Sequence, residues 1–308
     1  MRVLVTGASG FVGRHLVTAL RASGHEVRTA GFSSQSPLDF RIPLAPDADW
    51  APAVANCDAV VHAGALAHVF GPVSPEQAST FADINTGGTL ALARAAAQAG
   101  VARFVFISSI AASGPGNGTP IRETDPPQPI SAYGHSKLAA EQALAFVSAD
   151  TSLEIVSLRP PLVYGPDAGG RFRQVLTWCN RGLPLPFGGI HNRRSYLSID
   201  NLADAVLACL THPGAAGQVF NIADDEPLST PDLVRLVCAG LGKPCRLFAV
   251  PTPLLGAARK LGVADAIDRL SETMLIDTTA IRSTLGWQPS ISARDGIRAA
   301  ASAFKQQQ

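Results

Sequence analysis

Short apolar runs alternate with longer amphipathic segments through the first half of the chain. The runs predict strands at residues 3–6, 26–30, 59–62, 104–109 and 153–158. Between them, helical spacing of apolar positions predicts helices at residues 50–55, 84–98 and 136–147. Strands that alternate with helices form right-handed crossovers around a parallel sheet, so the pattern predicts an α/β fold.

The first predicted strand ends in three evenly spaced glycines, Gly7, Gly10 and Gly13, and a helical pattern follows them. Gly7 permits a sharp exit from the strand, Gly10 lets backbone approach a pyrophosphate, and Gly13 lets the helix pack closely. The N–H groups of Phe11 and Val12, at the positive end of the helix dipole, suit phosphate oxygens. Strand, turn and helix together predict a Rossmann-type doubly wound sheet that binds a dinucleotide beyond its carboxyl edge.

Proline and glycine become frequent after residue 159, and helical spacing returns at residues 232–241, 254–261 and 293–304. Loops of this composition often cover a binding crevice. We therefore expect a dinucleotide-binding domain at residues 1–165, to which residues 195–223 return. Residues 166–194 and 224–308 are expected to form a smaller, mostly helical substrate-binding region.

Composition excludes several classes of function. The chain has 308 residues, of which 46% are hydrophobic and 16% charged, as in a globular protein. A formal net charge of +1 offers no field for nucleic acid, and no apolar run is long enough for a membrane span. The five cysteines form no CxxC pair, so we expect no metal site and a reducing, cytoplasmic location.

A tyrosine and a lysine stand at helical spacing in the segment Tyr133-Gly134-His135-Ser136-Lys137. One turn of helix separates their side chains, which therefore share a face. An ammonium beside a phenol favours the phenolate and lowers its pKa. The pair could then move a proton to or from a substrate oxygen.

Seven segments along the chain carry further motifs. They are residues 6–13 (TGASGFVG), 58–65 (DAVVHAGA), 85–89 (NTGGT), 106–109 (FISS), 133–137 (YGHSK), 159–166 (RPPLVYGP) and 285–289 (LGWQP). In this order they resemble the extended short-chain dehydrogenases/reductases, in their NAD(P)-dependent epimerase/dehydratase branch.

The resemblance implies roles for individual residues around a cofactor. Tyr133 is implied as the general acid/base, with Lys137 holding the nicotinamide ribose. Ser109 is implied to bond the same substrate oxygen, with Ser108 as the alternative. The remaining residues implied to lie near the cofactor are Ala63, Asn85, whose other interpretation is a helix N-cap, and Pro160.

The resemblance also implies a site for a nucleotide sugar, most often a UDP-sugar. Arg194 is implied to bind the diphosphate, since a guanidinium suits bidentate contacts with phosphate. Arg193 is its alternative and Arg171 a weaker candidate. Phe187 could face the nucleotide base or pack in the core. The same resemblance implies a homodimer.

The chain departs from the family pattern at the end of its second strand, where no acidic residue stands. Without a carboxylate to repel a 2′-phosphate, and with Ser33 as a donor, the sequence favours NADP over NAD. Leu162 stands where sugar 4-epimerases carry Asn, and no acid follows Ser109 as it does in 4,6-dehydratases.

These departures favour an oxidoreductase that reduces a 4-keto-(6-deoxy) sugar nucleotide, because thin adenosine contacts suit exchange of the cofactor. The alternative is a UDP-sugar 4-epimerase. A third possibility, of another class, is a dinucleotide-binding redox sensor without turnover.

Overall fold

Within residues 1–33, 36–67, 74–250 and 271–306, which the computed structural model describes, the apolar runs form one parallel sheet of seven strands. All strands of the described residues are β1 Arg2–Thr6, β2 Glu26–Gly31, β3 Phe40–Arg41, β4 Ala59–His62, β5 Arg103–Ile107, β6 Pro120–Ile121, β7 Glu154–Arg159, β8 Leu162–Tyr164, β9 Tyr196–Ser198, β10 Val219–Asn221 and β11 Leu275–Ile276. The seven strands of the sheet follow the order β10-β7-β5-β4-β1-β2-β3. The predicted helix at 254–261 lies outside the described residues.

Helices cover both faces of this sheet, which confirms the predicted doubly wound Rossmann fold. They are α1 Phe11–Ala22, α2 Ala51–Val54, α3 Pro75–Phe81, α4 Thr89–Gln98, α5 Ala132–Asp150, α6 Gly170–Asn180, α7 Ile199–Thr211, α8 Thr230–Leu241, α9 Thr279–Leu285 and α10 Ala293–Gln306. A π-helical segment at Ala82–Gly88 joins α3 to α4, and short 3₁₀ turns lie at Ile110–Ala112 and Pro213–Ala215.

Burial on both faces explains why the strands are continuous apolar runs rather than alternating ones. In β1, Val3 and Val5 join the core beneath α1 and α7, whereas Leu4 joins the core beneath α2, α4 and α5. All three side chains are fully buried. The successive side chains of one strand thus hold helices on opposite faces.

The second half of the chain contributes to two hydrophobic cores. Strand β10 pairs in parallel with β7, and α7 packs with the core beneath α1, so both lie with the central sheet. A third core forms among α6, α8 and α10, next to the parallel pair β8 and β9. This helical region stands beyond the end of β7, at the carboxyl edge of the sheet.

Candidate active site

Four neighbouring strands end at one edge of the sheet with residues that the sequence singled out. The glycine turn follows β1, Ala63 follows β4, Ser109 follows β5 and Pro160 follows β7. These strands are adjacent in the order β7-β5-β4-β1 and all parallel, so their carboxyl ends lie side by side. The candidate site is therefore assembled at the sheet's ligand edge.

The glycine turn leaves no room for side chains. Gly7 has φ +67°, and a Cβ there would lie 2.6 Å from the Gly64 amide nitrogen. A Cβ on Gly13 would lie 2.1 Å from the Gly7 carbonyl oxygen, which shows how closely the helix approaches the turn. The Gly10 amide donates to the Gly7 carbonyl oxygen at 2.9 Å. These contacts fit the close approach that a dinucleotide diphosphate requires.

Helix α1 begins directly at this turn, with Phe11 as its first residue. Gly10 is its N-cap, and no side chain caps the N-terminus. The first-turn N–H groups of Phe11 and Val12 thus meet no capping side chain, and no acidic residue lies in that turn. Such an N-terminus suits a phosphate anion.

The Tyr133 phenol and the Ser109 hydroxyl lie together at the end of β5. Tyr133 stands in the first turn of α5, whose N-cap Ser131 accepts from the Gly134 amide at 3.0 Å. Burial raises the pKa of the Tyr133 phenol to about 12, and a hydrogen bond with Ser109 opposes part of that rise. The edge of the Phe81 ring packs against the phenol, with ring centroids 6.3 Å apart.

The other serine of the pair points away from this phenol. Ser108 is buried, and its hydroxyl donates to the carboxylate of Glu141. Glu141 also accepts from Arg159, whose Nε lies 3.0 Å from Oε1. Of the two candidate serines, Ser109 is therefore the one that faces Tyr133.

Lys137 lies one turn after Tyr133, but its contacts differ from those expected. Its Nζ donates to the Ile107 carbonyl at 2.8 Å and lies 4.5 Å from the centroid of the Phe106 ring. Burial lowers the pKa of Lys137 to about 7, against the opposing charge of Glu141. The expected lowering of the Tyr133 pKa by this ammonium is thus not present, because the desolvation of the phenol dominates.

Asn85 lies inside the π-helical segment, which corrects its interpretation as a helix N-cap. It is 1% exposed, and its Oδ1 accepts from the Leu66 amide at 2.8 Å. Its Nδ2 donates to the Leu66 carbonyl and to the Ser136 hydroxyl, both at 3.0 Å. The amide therefore ties the loop after β4 to the start of α5, near the expected cofactor edge.

Two of the expected substrate-binding residues, Arg171 and Arg194, line one small cleft between α6 and β9. Leu162 and Tyr196 are also part of its wall. Tyr196 is 1% exposed, and its hydroxyl has no hydrogen-bond partner among the residues that the structure describes. The Arg171, Arg194 and Tyr196 side chains of this wall could donate to an anionic ligand, and Arg194 already lies 3.7 Å from the Glu272 carboxylate.

The positions of Arg194, Arg193 and Phe187 bear on two further alternatives in the sequence analysis. Arg194 is buried at the cleft, whereas its neighbour Arg193 is exposed. Phe187 is 2% exposed and packs against Trp178, with ring centroids 6.1 Å apart. This ring packs in the helical core, in line with the second of the two interpretations of Phe187.

A groove of about 610 Å³ borders the glycine turn between α1 and residues 36–41. Ser9, Arg41 and Asp39 are among the residues that line it. The Asp39 carboxylate accepts from the Thr29 amide at 2.8 Å and from its hydroxyl at 2.9 Å. The Asp39 carboxylate thus lies beside the second strand, although Asp39 stands eight residues after the end of that strand at Gly31. Ser33 is the second residue after that strand and is partly buried.

Sequence reasoning missed four residues in or behind this site: Asp39, Glu141, Tyr196 and Asp224. The backbone amide of Asp224 donates to the Tyr196 carbonyl at 2.9 Å. Glu141 could have been found, because it follows Tyr133 and Lys137 at the same helical spacing. Tyr196 stands two residues after Arg194, so both side chains of this extended segment face the same way. The contacts of Asp39 and Asp224 depend on loops, and no local pattern points to them.

Two wider features of the described residues bear on the chemistry. Among the described residues, no group of three or more His, Cys, Asp or Glu side chains is placed to hold a metal ion. No helix in the described part of the chain combines the length and apolar character that a bilayer span requires.

Fold and site together define a dinucleotide-dependent enzyme with a Rossmann domain. The family model "NAD dependent epimerase/dehydratase family" matches residues 3–223, and the chain belongs to this family, within the extended short-chain dehydrogenases/reductases. The chain is 37% identical over 313 residues to a UDP-glucose 4-epimerase of Vibrio cholerae, covering 99% of this chain and 95% of the relative.

Solved structures support the same placement. The UDP-glucose 4-epimerase of Thermus thermophilus in complex with NAD has a TM-score of 0.78 and 27% identity, over 99% of both chains. MoeE5 in complex with UDP-glucose and NAD has a TM-score of 0.79 and 27% identity, over 100% of this chain and 99% of the other. A nicotinamide dinucleotide is thus the cofactor class of this chain, and the glycine turn fits it.

Proposed function

We propose that the enzyme acts at C4 of a UDP-sugar, with Tyr133 transferring the proton of the C4 oxygen. The observation that carries this proposal is the Tyr133–Ser109 pair at the carboxyl end of β5, two strands from the glycine turn. The Rossmann domain would bind the dinucleotide, and the helical region would bind the nucleotide sugar.

The protonation of Tyr133 favours the direction of reduction. With a pKa raised to about 12 by burial, the phenol keeps its proton at neutral pH and is ready to donate it. When bound, a reduced nicotinamide would supply the hydride for the C4 carbon. Tyr133 protonates the oxygen as its negative charge develops, while the Ser109 hydroxyl stabilises that charge by a hydrogen bond.

The cleft of Arg171, Arg194 and Tyr196 supports a diphosphate as the anchor of the substrate. Guanidinium groups bind phosphate oxygens by paired N–H donors. The Tyr196 hydroxyl, which has no partner within the described part of the chain, could add a further donor. The structure of MoeE5 contains UDP-glucose, which supports uridine as the nucleoside of the substrate.

Net reduction of a 4-keto-6-deoxy sugar is the form of the reaction that we favour. Leu162 stands beside the cleft without a polar group, so it offers no hydrogen bond to a sugar hydroxyl. The second candidate is 4-epimerisation, which is favoured by the Vibrio cholerae relative and its near-complete coverage of both chains.

For the cofactor, Asp39 changes the preference that the sequence indicated. Its carboxylate lines the groove beside Ser9 of the glycine turn, where it would repel a 2′-phosphate. The two neighbours at 27% identity contain NAD. We therefore propose NAD as the preferred dinucleotide, and the NADP favoured by Ser33 as the alternative.

A pair of assays tests the reaction. The purified enzyme receives UDP-4-keto-6-deoxyglucose with NADH or NADPH, and separately UDP-glucose without added reductant. Loss of nicotinamide absorbance that matches the formation of a 6-deoxy sugar supports the reductase. Conversion of UDP-glucose to UDP-galactose without reductant supports the epimerase, and no change of either substrate contradicts both.

A further inference from the structure

Glu141 stands at the bottom of a row of three side chains on one face of α5. Tyr133, Lys137 and Glu141 are spaced by four residues each, so one helical turn separates them. Glu141 is only 7% exposed, although it is an acid in a chain whose acids lie mostly at the surface. No step of the proposed reaction uses this carboxylate directly.

Two of these side chains hold two consecutive residues at the end of β5. The Lys137 Nζ donates to the Ile107 carbonyl at 2.8 Å, and Glu141 accepts from the Ser108 hydroxyl. Consecutive side chains of an extended segment point to opposite sides. Because Glu141 holds the Ser108 side chain on one side of this segment, the Ser109 side chain points to the other side, where Tyr133 lies.

Arg159 fixes the carboxylate from the neighbouring strand β7. Its Nη2 lies 2.5 Å from Oε2 of Glu141, and its Nε is 3.0 Å from Oε1 and 3.2 Å from Oε2. A third nitrogen, Nη1, donates to the Ser113 hydroxyl at 3.1 Å. Both partners of this ion pair are buried, so solvent screens their charges weakly.

The charge on Lys137 depends on this carboxylate. Two titratable groups interact electrostatically with the amine: Glu141 on its own helix and His62 on β4. Tyr133 keeps its proton, and burial lowers the pKa of His62 to about 3, so that ring is neutral. Glu141 is the group that raises the pKa of Lys137 against its burial.

We propose that Glu141 is a positioning residue of the active site: its carboxylate holds Ser108 so that Ser109 faces Tyr133, and it places a negative charge one helical turn from Lys137. The expected effect of Glu141 on turnover rests on the proposed function. Its expected effect on the charge of Lys137 does not depend on any substrate.

The chain has four lysines, at positions 137, 243, 260 and 305, which makes Lys137 accessible to nuclear magnetic resonance. Protein labelled with ¹³C at the lysine Cε carbons is titrated from pH 5 to pH 11, and Lys137→Met assigns the signal. Wild type is expected to titrate near pH 7 at Lys137. In Glu141→Gln, the midpoint should fall by about one pH unit or more.

Glu154→Gln is the matched control. It also removes a carboxylate paired with an arginine, Arg103, but one that is about half exposed and lies at the start of β7. It should leave the midpoint of Lys137 unchanged. The double variant Glu141→Gln/Arg159→Met serves if the single one does not fold, because it removes both buried charges together. An unchanged midpoint in folded Glu141→Gln, or equal midpoints in the double variant and in Arg159→Met alone, overturns the proposal.

Turnover provides the second readout. In Glu141→Gln, the alkaline limb of the kcat profile should move to lower pH, and Glu141→Asp should restore it. Ser108→Ala should lower kcat while the Lys137 midpoint stays in place, since it removes the hydrogen bond and keeps the charge. A shifted midpoint without turnover on any UDP-sugar would refute the proposed function and leave the role of Glu141 in holding the charge.

Discussion

A buried carboxylate, Asp224, links the helical region to the central sheet and predicts a specific pH dependence of stability. Its Oδ2 accepts from the Tyr164 hydroxyl at 2.8 Å. Its Oδ1 accepts from the Ser198 amide at 2.9 Å and from the Asn201 side chain at 2.7 Å. The acid thereby joins β8, β9 and α7 at one point.

Burial raises the pKa of Asp224 to about 6 from the ordinary value of 3.8, although its hydrogen bonds act in the opposite direction. A raised pKa in the folded state means that folding favours the protonated form. The resulting stabilisation is fully present below pH 3.8 and is lost as the pH rises through about 6. The difference corresponds to about 3 kcal/mol in total, of which about 2 kcal/mol is lost between pH 4.5 and pH 7.5.

Asp224→Asn removes the titration and keeps the main contacts. The asparagine oxygen can accept from Ser198 and Asn201, and its NH₂ can donate to the Tyr164 hydroxyl, which also lies 3.4 Å from the Ala293 carbonyl. The free energy of unfolding of the variant, relative to wild type, should therefore rise by about 2 kcal/mol from pH 4.5 to pH 7.5.

Urea unfolding of both proteins at the two pH values measures this change. Asp150→Asn, at an exposed position at the end of α5, is the matched control and should show no such change. If the difference between Asp224→Asn and wild type is the same at both pH values to within about 0.5 kcal/mol, the reasoning about the buried acid is wrong.

Further predictions concern the site. Ser109→Ala should lower kcat roughly ten- to hundredfold with little change in dinucleotide affinity, because it removes a hydrogen bond to the charge that develops on the C4 oxygen; an unchanged kcat would exclude that bond. Arg194→Ala should raise the KM for the UDP-sugar by about tenfold or more, whereas the exposed neighbour Arg193→Ala should change it little, and equal effects would contradict the cleft. Asp39→Asn should increase the affinity for NADP relative to NAD by up to about tenfold in calorimetric titrations, and no change would place the 2′-phosphate elsewhere.

Local patterns in the sequence were sufficient for the parts of the fold and site that depend on near neighbours. The spacing of Tyr133 and Lys137 places both on one face of α5. The glycine spacing predicted the turn after β1, where the contacts of Gly7 and Gly13 match their expected roles. In each case a single helix or turn determines the geometry.

Other features depend on contacts between distant segments. Ser109 rather than Ser108 faces Tyr133 because Glu141, 33 residues after Ser108, holds the latter. The helix predicted at 84–98 begins instead as a π-helical segment, in which the Asn85 side chain bonds the loop at Leu66. No periodicity in one segment could reveal such contacts.

The pKa of Tyr133 shows a second limit of sequence reasoning. Spacing predicted an ammonium beside the phenol, and therefore a lowered pKa. The folded protein buries both groups, and Lys137 turns its Nζ to the Ile107 carbonyl. Desolvation then dominates and raises the pKa of the phenol. The size of this pKa shift depends on how all the surrounding elements pack. A short sequence motif carries no information about that packing.

The most direct test of the central claim follows deuterium into the sugar. The enzyme receives UDP-4-keto-6-deoxyglucose and NADH that carries deuterium at both C4 positions of its nicotinamide ring, and the product is analysed by nuclear magnetic resonance. We expect deuterium at C4 of the sugar with wild type, and almost none with Tyr133→Phe, which should still bind NADH. Deuterium at another carbon, or wild-type turnover by Tyr133→Phe, would contradict the proposed chemistry.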